Sequence, residues 1–137
     1  MPVSVVRLGS PRLMNEGLRL GTVRRLPRGV RKSDYAALDY FDVWLPELAP
    51  TVELLSWAQS QPWTPARWAA FARRYRREMR EPSAARLLTL LAALSRTTAV
   101  SVGCYCADGE RCHRAVLREL LEEAGATLKK SGRSDKT

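Results

Sequence analysis

Every cysteine and the only histidine of this 137-residue chain lie between positions 104 and 113, in the runs Cys104-Tyr105-Cys106 and Cys112-His113-Arg114. Those residue types at that density point to sulfur chemistry on a charged ligand. A thiol at a helix start beside cationic side chains ionises below the ordinary value of about 8.5, which makes Cys106 and Cys112 candidate nucleophiles. His113 and Asp108 are the groups able to take up and return a proton. Arg114 can grip a carboxylate or phosphate through two parallel N–H bonds, and the unpaired backbone N–H groups of a helix start favour the same guest.

The same residues admit other readings. Cysteine is among the most buried residue types, so Cys104 and Cys106 can be small core side chains, with His113 a surface cap. Arg114 can pair with Glu110 or Glu119, an exposed interaction worth at most about 1 kcal/mol. Three thiols and an imidazole are also suitable zinc ligands. Against that, Cys112 and His113 are adjacent and on a helix would diverge by about 100°. On that ground the sequence calls for no metal and no cofactor. The hexapeptide Cys-Ala-Asp-Gly-Glu-Arg at 106–111 is similar to the anion-cradling loops of sulfurtransferases and cysteine phosphatases, with Cys106 as nucleophile.

A second constellation is basic: Arg19, Arg24, Arg25, Arg28, Arg31 and Lys32, with Gly29 permitting a tight turn. A charged run is most often a solvated surface. A loop of this kind following a strand can nevertheless reach the same sheet edge as Cys112, and Arg19 and Arg28 join Arg114 as candidate anion ligands, with Glu16 orienting Arg19. The tryptophans, 44, 57, 63 and 68, read mainly as packing, because none is interleaved with basic residues in a way that favours base stacking.

Positioning these groups requires a strand, a turn and a helix. Val100, Val102, Cys104 and Cys106 alternate with smaller or polar residues, predicting a strand over 99–106 with both cysteines on one face. Asp108-Gly109 marks a turn, and Val116, Leu117, Leu120, Leu121 and Ala124 trace a helix stopped by Gly125. Upstream, valines predict a strand over 3–7 and alternating leucines another over 18–23. Ser33 and Asp34 suggest a short helix through Tyr40, residues 42–50 an extended connector, and Thr51 the cap of a further short helix. Thr64 with Pro65 opens the clearest helix, whose apolar stripe is Trp68, Phe71, Ala72, Tyr75 and Met79, and Pro82 ends it. Ser83 is the predicted cap of a leucine-rich, mostly buried helix. The alternation predicts a single three-layer α/β domain over 1–128, with a mostly parallel sheet flanked by helices and a disordered basic tail over 129–137.

Composition sets the outer limits. With 45% apolar and 27% charged residues and no apolar run near the roughly 18 residues of a membrane span, the chain reads as a soluble protein that does not enter membranes. Closely spaced cysteines do not staple distant segments, and the valine-rich start does not resemble a signal peptide, so the expected compartment is the cytoplasm. The net charge of +9 favours anionic partners, of which +3 belongs to 129–137. The leading expectation is an anionic small molecule or phosphorylated nucleotide bound at the 104–114 junction, with transformation of that ligand left open by the residues. The alternatives are a non-catalytic nucleic-acid-binding module and a metal-binding protein using the Cys/His cluster. Oligomeric state is not legible.

Beyond these residues, the chain resembles the YeaO-like family of small bacterial proteins of unknown function. The resemblance is carried by Glu16-Gly17-Leu18-Arg19, Pro27-Arg28-Gly29-Val30, the run Asp42-Val43-Trp44-Leu45-Pro46-Glu47-Leu48-Ala49-Pro50, Arg74-Tyr75-Arg76, and Cys104-Tyr-Cys through Cys112-His113-Arg114. Departures are Ala107 where an acidic residue often follows the cysteine, Thr51 in place of serine, and Ala115 after Cys-His-Arg. The resemblance implies an α/β fold and a site near Cys112, His113, Arg114, Arg19 and Arg28, and brings no reaction with it.

Overall fold

A computed structural model describes residues 2–106 and 112–128. Four strands form one sheet in the order β1-β4-β2-β3, and every pairing is parallel. They are β1 (Val3–Arg7), β2 (Leu18–Gly21), β3 (Val43–Trp44) and β4 (Val100–Cys104). Four α-helices follow: α1 (Val52–Gln59), α2 (Pro65–Glu78), α3 (Pro82–Leu94) and α4 (His113–Glu123). The α/β class and the parallel sheet are therefore as the sequence predicts.

Parallel neighbours need long crossovers, and here one crossover carries α1, α2 and α3 between β3 and β4. That route seats β4 between β1 and β2, with Val5 opposite Val102 on one side and Leu20 opposite Val102 on the other. Val3, Leu20, Val100 and Val102 share a core with Leu54 of α1, Phe71 and Tyr75 of α2, Leu88 and Leu91 of α3, and Leu117 and Leu121 of α4. All four α-helices thus cover one face. The opposite face carries Ser4, Val6, Arg19, Gly21, Ser101 and Gly103, and it is closed by the segments leading out of β1 and into β3. A Cβ on Gly103 would stand 2.6 Å from the Val6 carbonyl oxygen, and one on Gly21 would run into the Phe41 ring. A side chain at either position would meet an atom already in place, the paired strand's backbone at Gly103 and an aromatic ring at Gly21.

Helix starts follow the predicted chemistry. Thr51 and Thr64 are N-caps, their hydroxyls accepting from the backbone N–H groups of Leu54 and Arg67. The third helix differs: Glu81 is the N-cap and Pro82 the first helical residue, so Ser83 lies inside and caps nothing. Leu90 of that helix is exposed, although Leu88 and Leu91 are buried. The helix expected through Tyr40 is only a 3-10 turn, Lys32–Asp34, after which Asp39 takes a left-handed φ of 63° that no helix continues through. β4 stops at Cys104, two residues short of the predicted end. β3 lies inside the expected extended connector, held by Leu20↔Val43 and Gly21↔Trp44 pairing. The expected basic tail, 129–137, and the turn at 107–111 lie outside the described residues.

Candidate functional site

β4 ends at Cys104 and α4 begins at His113, so the carboxyl end of an inner strand and a helix N-terminus meet at the thiols. In parallel α/β sheets this end of the strands is where ligands bind. Cys104 is buried because it closes the inward-facing row of Val100 and Val102. Cys112 is the N-cap of α4, with extended dihedrals of φ −137° and ψ 153°, and its side chain caps nothing. It is buried, whereas Cys106 is exposed. The three sulfurs lie within 4.8 Å of one another.

Their closeness makes them titrate as one group. The contacts from Cys104 and Cys112 draw the Cys106 thiol well below its ordinary range, overriding the upward pull of desolvation, with His113 and Arg114 adding to the effect. The Cys106 contact pushes Cys104 up to about 11. Cys112 is driven far up by its sulfur neighbours and by burial. Negative charge on the cluster is therefore favoured at the exposed sulfur and disfavoured at the two buried ones. Within that shared titration the direction is downward for the exposed Cys106 and upward for the buried Cys112.

His113 is buried, and desolvation lowers it to about 4 against the opposing bond to Thr22, so the ring is neutral near pH 7. Its Nε2 lies 2.6 Å from the Thr22 carbonyl oxygen, which only accepts, so that nitrogen carries the proton. Nδ1 is then an acceptor, 3.7 Å from Cys112 Sγ. Tyr75 packs edge-on against the ring at 5.6 Å, and its hydroxyl donates to the Leu48 carbonyl. The histidine expected to serve the ligand with protons instead faces Cys112 from inside the core. Asp108, the other proton candidate, lies outside the described residues.

The arginines divide. Arg114 is buried, and its Nη2 donates to the Cys106 carbonyl at 2.9 Å, fixing the backbone on which the exposed sulfur sits. Arg28 is exposed on a loop whose Val23, Leu26 and Val30 pack with Cys104 and Cys112. Tyr105 ties that loop down, its hydroxyl donating to the Arg25 carbonyl. Arg19 is a correction to the sequence reading. It is 0% exposed, its Nε and Nη2 both donate to the Glu16 carboxylate, and its Nη1 donates to the carbonyls of Ser10 and Asp39. The fifth N–H group, on Nη2, reaches the Pro11 carbonyl at 3.4 Å, so none is left to meet a ligand. Glu16 does orient Arg19 as expected, but as a buried tie across the sheet's helix-free face.

The zinc objection drawn from adjacency also changes. Cys112 precedes the helix, so helical divergence from His113 does not apply, and the sulfurs gather without the imidazole. Two contributors carried no sequence signal. Thr22 acts through its backbone carbonyl, which every residue has. Tyr105 was visible only as the middle of Cys-Tyr-Cys.

No solved structure matches the chain. Uncharacterized protein Mb3100c of Mycobacterium bovis and uncharacterized protein Rv3073c of Mycobacterium tuberculosis are each 34% identical over 107 residues, covering 78% of this chain and 82% of the relative. A family model described as the active DUF488-N3 subclade matches residues 3–125 and takes in the whole thiol junction. Membership in a small family of unknown function, anticipated from the motifs under the YeaO-like name, thus stands under a different designation: the chain belongs to the active DUF488-N3 subclade.

Proposed function

We propose that this protein binds, and chemically engages, a small anionic molecule of the phosphate or phosphorylated-nucleotide class at the junction of β4 and α4, with Cys106 as its reactive sulfur. The observation that carries the reading is the asymmetric thiol cluster, three sulfurs within 4.8 Å of one another with one exposed and two buried, whose contacts draw the exposed one downward in pKa. Cys104 and Cys112 keep their protons and stabilise the thiolate. Arg114 and the α4 N-terminus supply fixed positive charge, and the exposed Arg28 sits on the loop that packs against the cluster. The apolar packing beneath that loop removes water from one side of the sulfurs, which strengthens each of these interactions. A reducing compartment such as the cytoplasm suits three unpaired thiols. Among the described residues no helix is long and apolar enough to cross a membrane.

The test is timed alkylation. Iodoacetamide near neutral pH, quenched and mapped by mass spectrometry, is expected to label Cys106 far faster than Cys104 or Cys112 and faster than cysteine in a model peptide. Millimolar inorganic phosphate is expected to slow that labelling. Slow and equal labelling of all three thiols would remove the nucleophile, and labelling indifferent to phosphate would remove the anion site.

A further inference from the structure

Three sulfurs within 4.8 Å of one another at the mouth of a sheet are also a ligand set. We propose that Cys104, Cys106 and Cys112 together bind one thiophilic divalent cation of the zinc class as thiolates, leaving a fourth position open on the exposed side of Cys106. This deepens the anion-site reading, because the open position is where the anionic ligand would attach. It rests on the junction being a ligand site and not on Cys106 acting as a free nucleophile.

Distance comes first. Zinc–sulfur bonds of about 2.3 Å at tetrahedral angles put ligand sulfurs about 3.8 Å apart. The cluster therefore has to tighten by no more than about 1 Å, a shift within side-chain rotation. The three ligands come from a strand end, a residue two positions beyond it and a helix N-cap, so the cluster can tighten without a helix or strand moving.

Charge comes next. A divalent ion with three thiolates carries a net −1, an awkward charge to hold in a partly buried place. Here the α4 N-terminus points at the cluster through Cys112, and Arg114 is anchored to the Cys106 carbonyl. Each offsets negative charge where it forms.

Openness decides the class of site. Structural zinc sites are closed by four protein ligands, whereas catalytic ones keep a position for water or substrate. As the side chains stand, His113 is not in the set: its unprotonated Nδ1 lies 3.7 Å from Cys112 Sγ, but its ring nitrogens are not among the ligand atoms gathered within 4.8 Å of one another. Among the described residues the set of possible ligands at this place is the three cysteines alone. An exposed fourth position beside fixed positive charge suits an anion as the exchangeable ligand.

The full chain, reduced and stripped with a chelator, is titrated with Cd2+ and separately with Co2+. One equivalent is expected to saturate a sulfur-to-cadmium charge-transfer band with the amplitude of three thiolates, and Co2+ to give the intense visible bands of a tetrahedral ion. Cys106→Ser changes an exposed residue and leaves the core intact. It is expected to reduce the band by a third and to weaken binding by at least about 100-fold, since even outer-shell changes cost 10–100-fold. Inorganic phosphate added to the Co2+ form is expected to shift the visible bands. Absence of a charge-transfer band, or tight binding that survives Cys106→Ser, would overturn the metal site, and bands indifferent to phosphate would overturn the open position. Alkylation of the metal-free chain reads the anion-site proposal independently, so failure of one is distinguishable from failure of the other.

Discussion

Glu16 and Arg19 stand three residues apart and are both buried, joined by two N–H···O bonds of 2.8 Å and surrounded by Ser101, the Leu13 N–H and two backbone carbonyls. Removing one partner strands the other's charge in the interior, so Glu16→Gln is expected to cost about 3–5 kcal/mol in urea unfolding. Burial alone would raise the Glu16 carboxyl, but the bonds from Arg19, Ser101 and Leu13 outweigh it and hold the group at about 2, against 4.5 when solvated. A depressed carboxylate contributes stability that is fully present above the unfolded value and is lost as pH falls through the folded one. The expected loss lies between pH 4.5 and 2 and amounts to about 3 kcal/mol, read as the difference in pH dependence between the wild type and Glu16→Gln. This pair also marks a limit of reading residues singly. Glu16 beside Arg19 was legible as a partnership, while its burial was not, because no local pattern distinguishes an arginine aimed at a ligand from one turned under a sheet. The thiols were easier to find, since three cysteines and one histidine converge along the chain before they converge in space. Which thiol ionises depends on Cys104 and Cys112 both reaching Cys106, and that follows only from the fold.

Thr51 and Thr64 cap α1 and α2 with the same hydroxyl bond, yet they are built into different surroundings. Thr64 is exposed, and Thr64→Ala is expected to cost about 1 kcal/mol. Thr51 also donates through its hydroxyl and its backbone N–H to the two oxygens of Glu78, clamping the start of α1 to the end of α2. Thr51→Ala is therefore expected to cost more than Thr64→Ala, and equal midpoints in parallel thermal melts would show that the clamp contributes nothing. Helices of this kind were readable because threonine, proline and a 3.6-residue apolar stripe all act within one element. β3 was readable only as extended chain: two residues have no periodicity, and their strand character comes from pairing with Leu20 and Gly21. The early end of β4 has the same origin, since both neighbours stop pairing with it by Cys104.

At the scale of the molecule the +9 charge is spread over several surfaces. Arg76 is paired with Glu119 and Glu123, Arg24 is tied to backbone carbonyls, and Arg67 and Arg74 lie over the Trp57 ring. A nucleic-acid surface neutralising about six phosphates would give a log-log salt slope near −5 on duplex DNA. The expected result is weak binding with a shallow slope, measured by fluorescence anisotropy, and deletion of residues 129–137 should remove much of it. Tight binding by the shortened chain at physiological salt would favour the nucleic-acid module instead. The strand order has a further, kinetic side. β1 and β2 do not pair with each other; each finds its partner in β4, whose first residue, Val100, pairs with Val3 on one side and Leu18 on the other. A chain emerging from the ribosome therefore has most of its helices available before any three strands can associate, and the loop closures that complete the sheet are long and slow. Completion of the sheet and assembly of the sulfur cluster fall at the same late moment, because Cys104 is the last residue of the strand that closes both. Until then Cys104 and Cys112 are as open to oxidants as Cys106 remains afterwards, and the yield of folded protein with those two thiols free is expected to depend on reductant during folding more than after it.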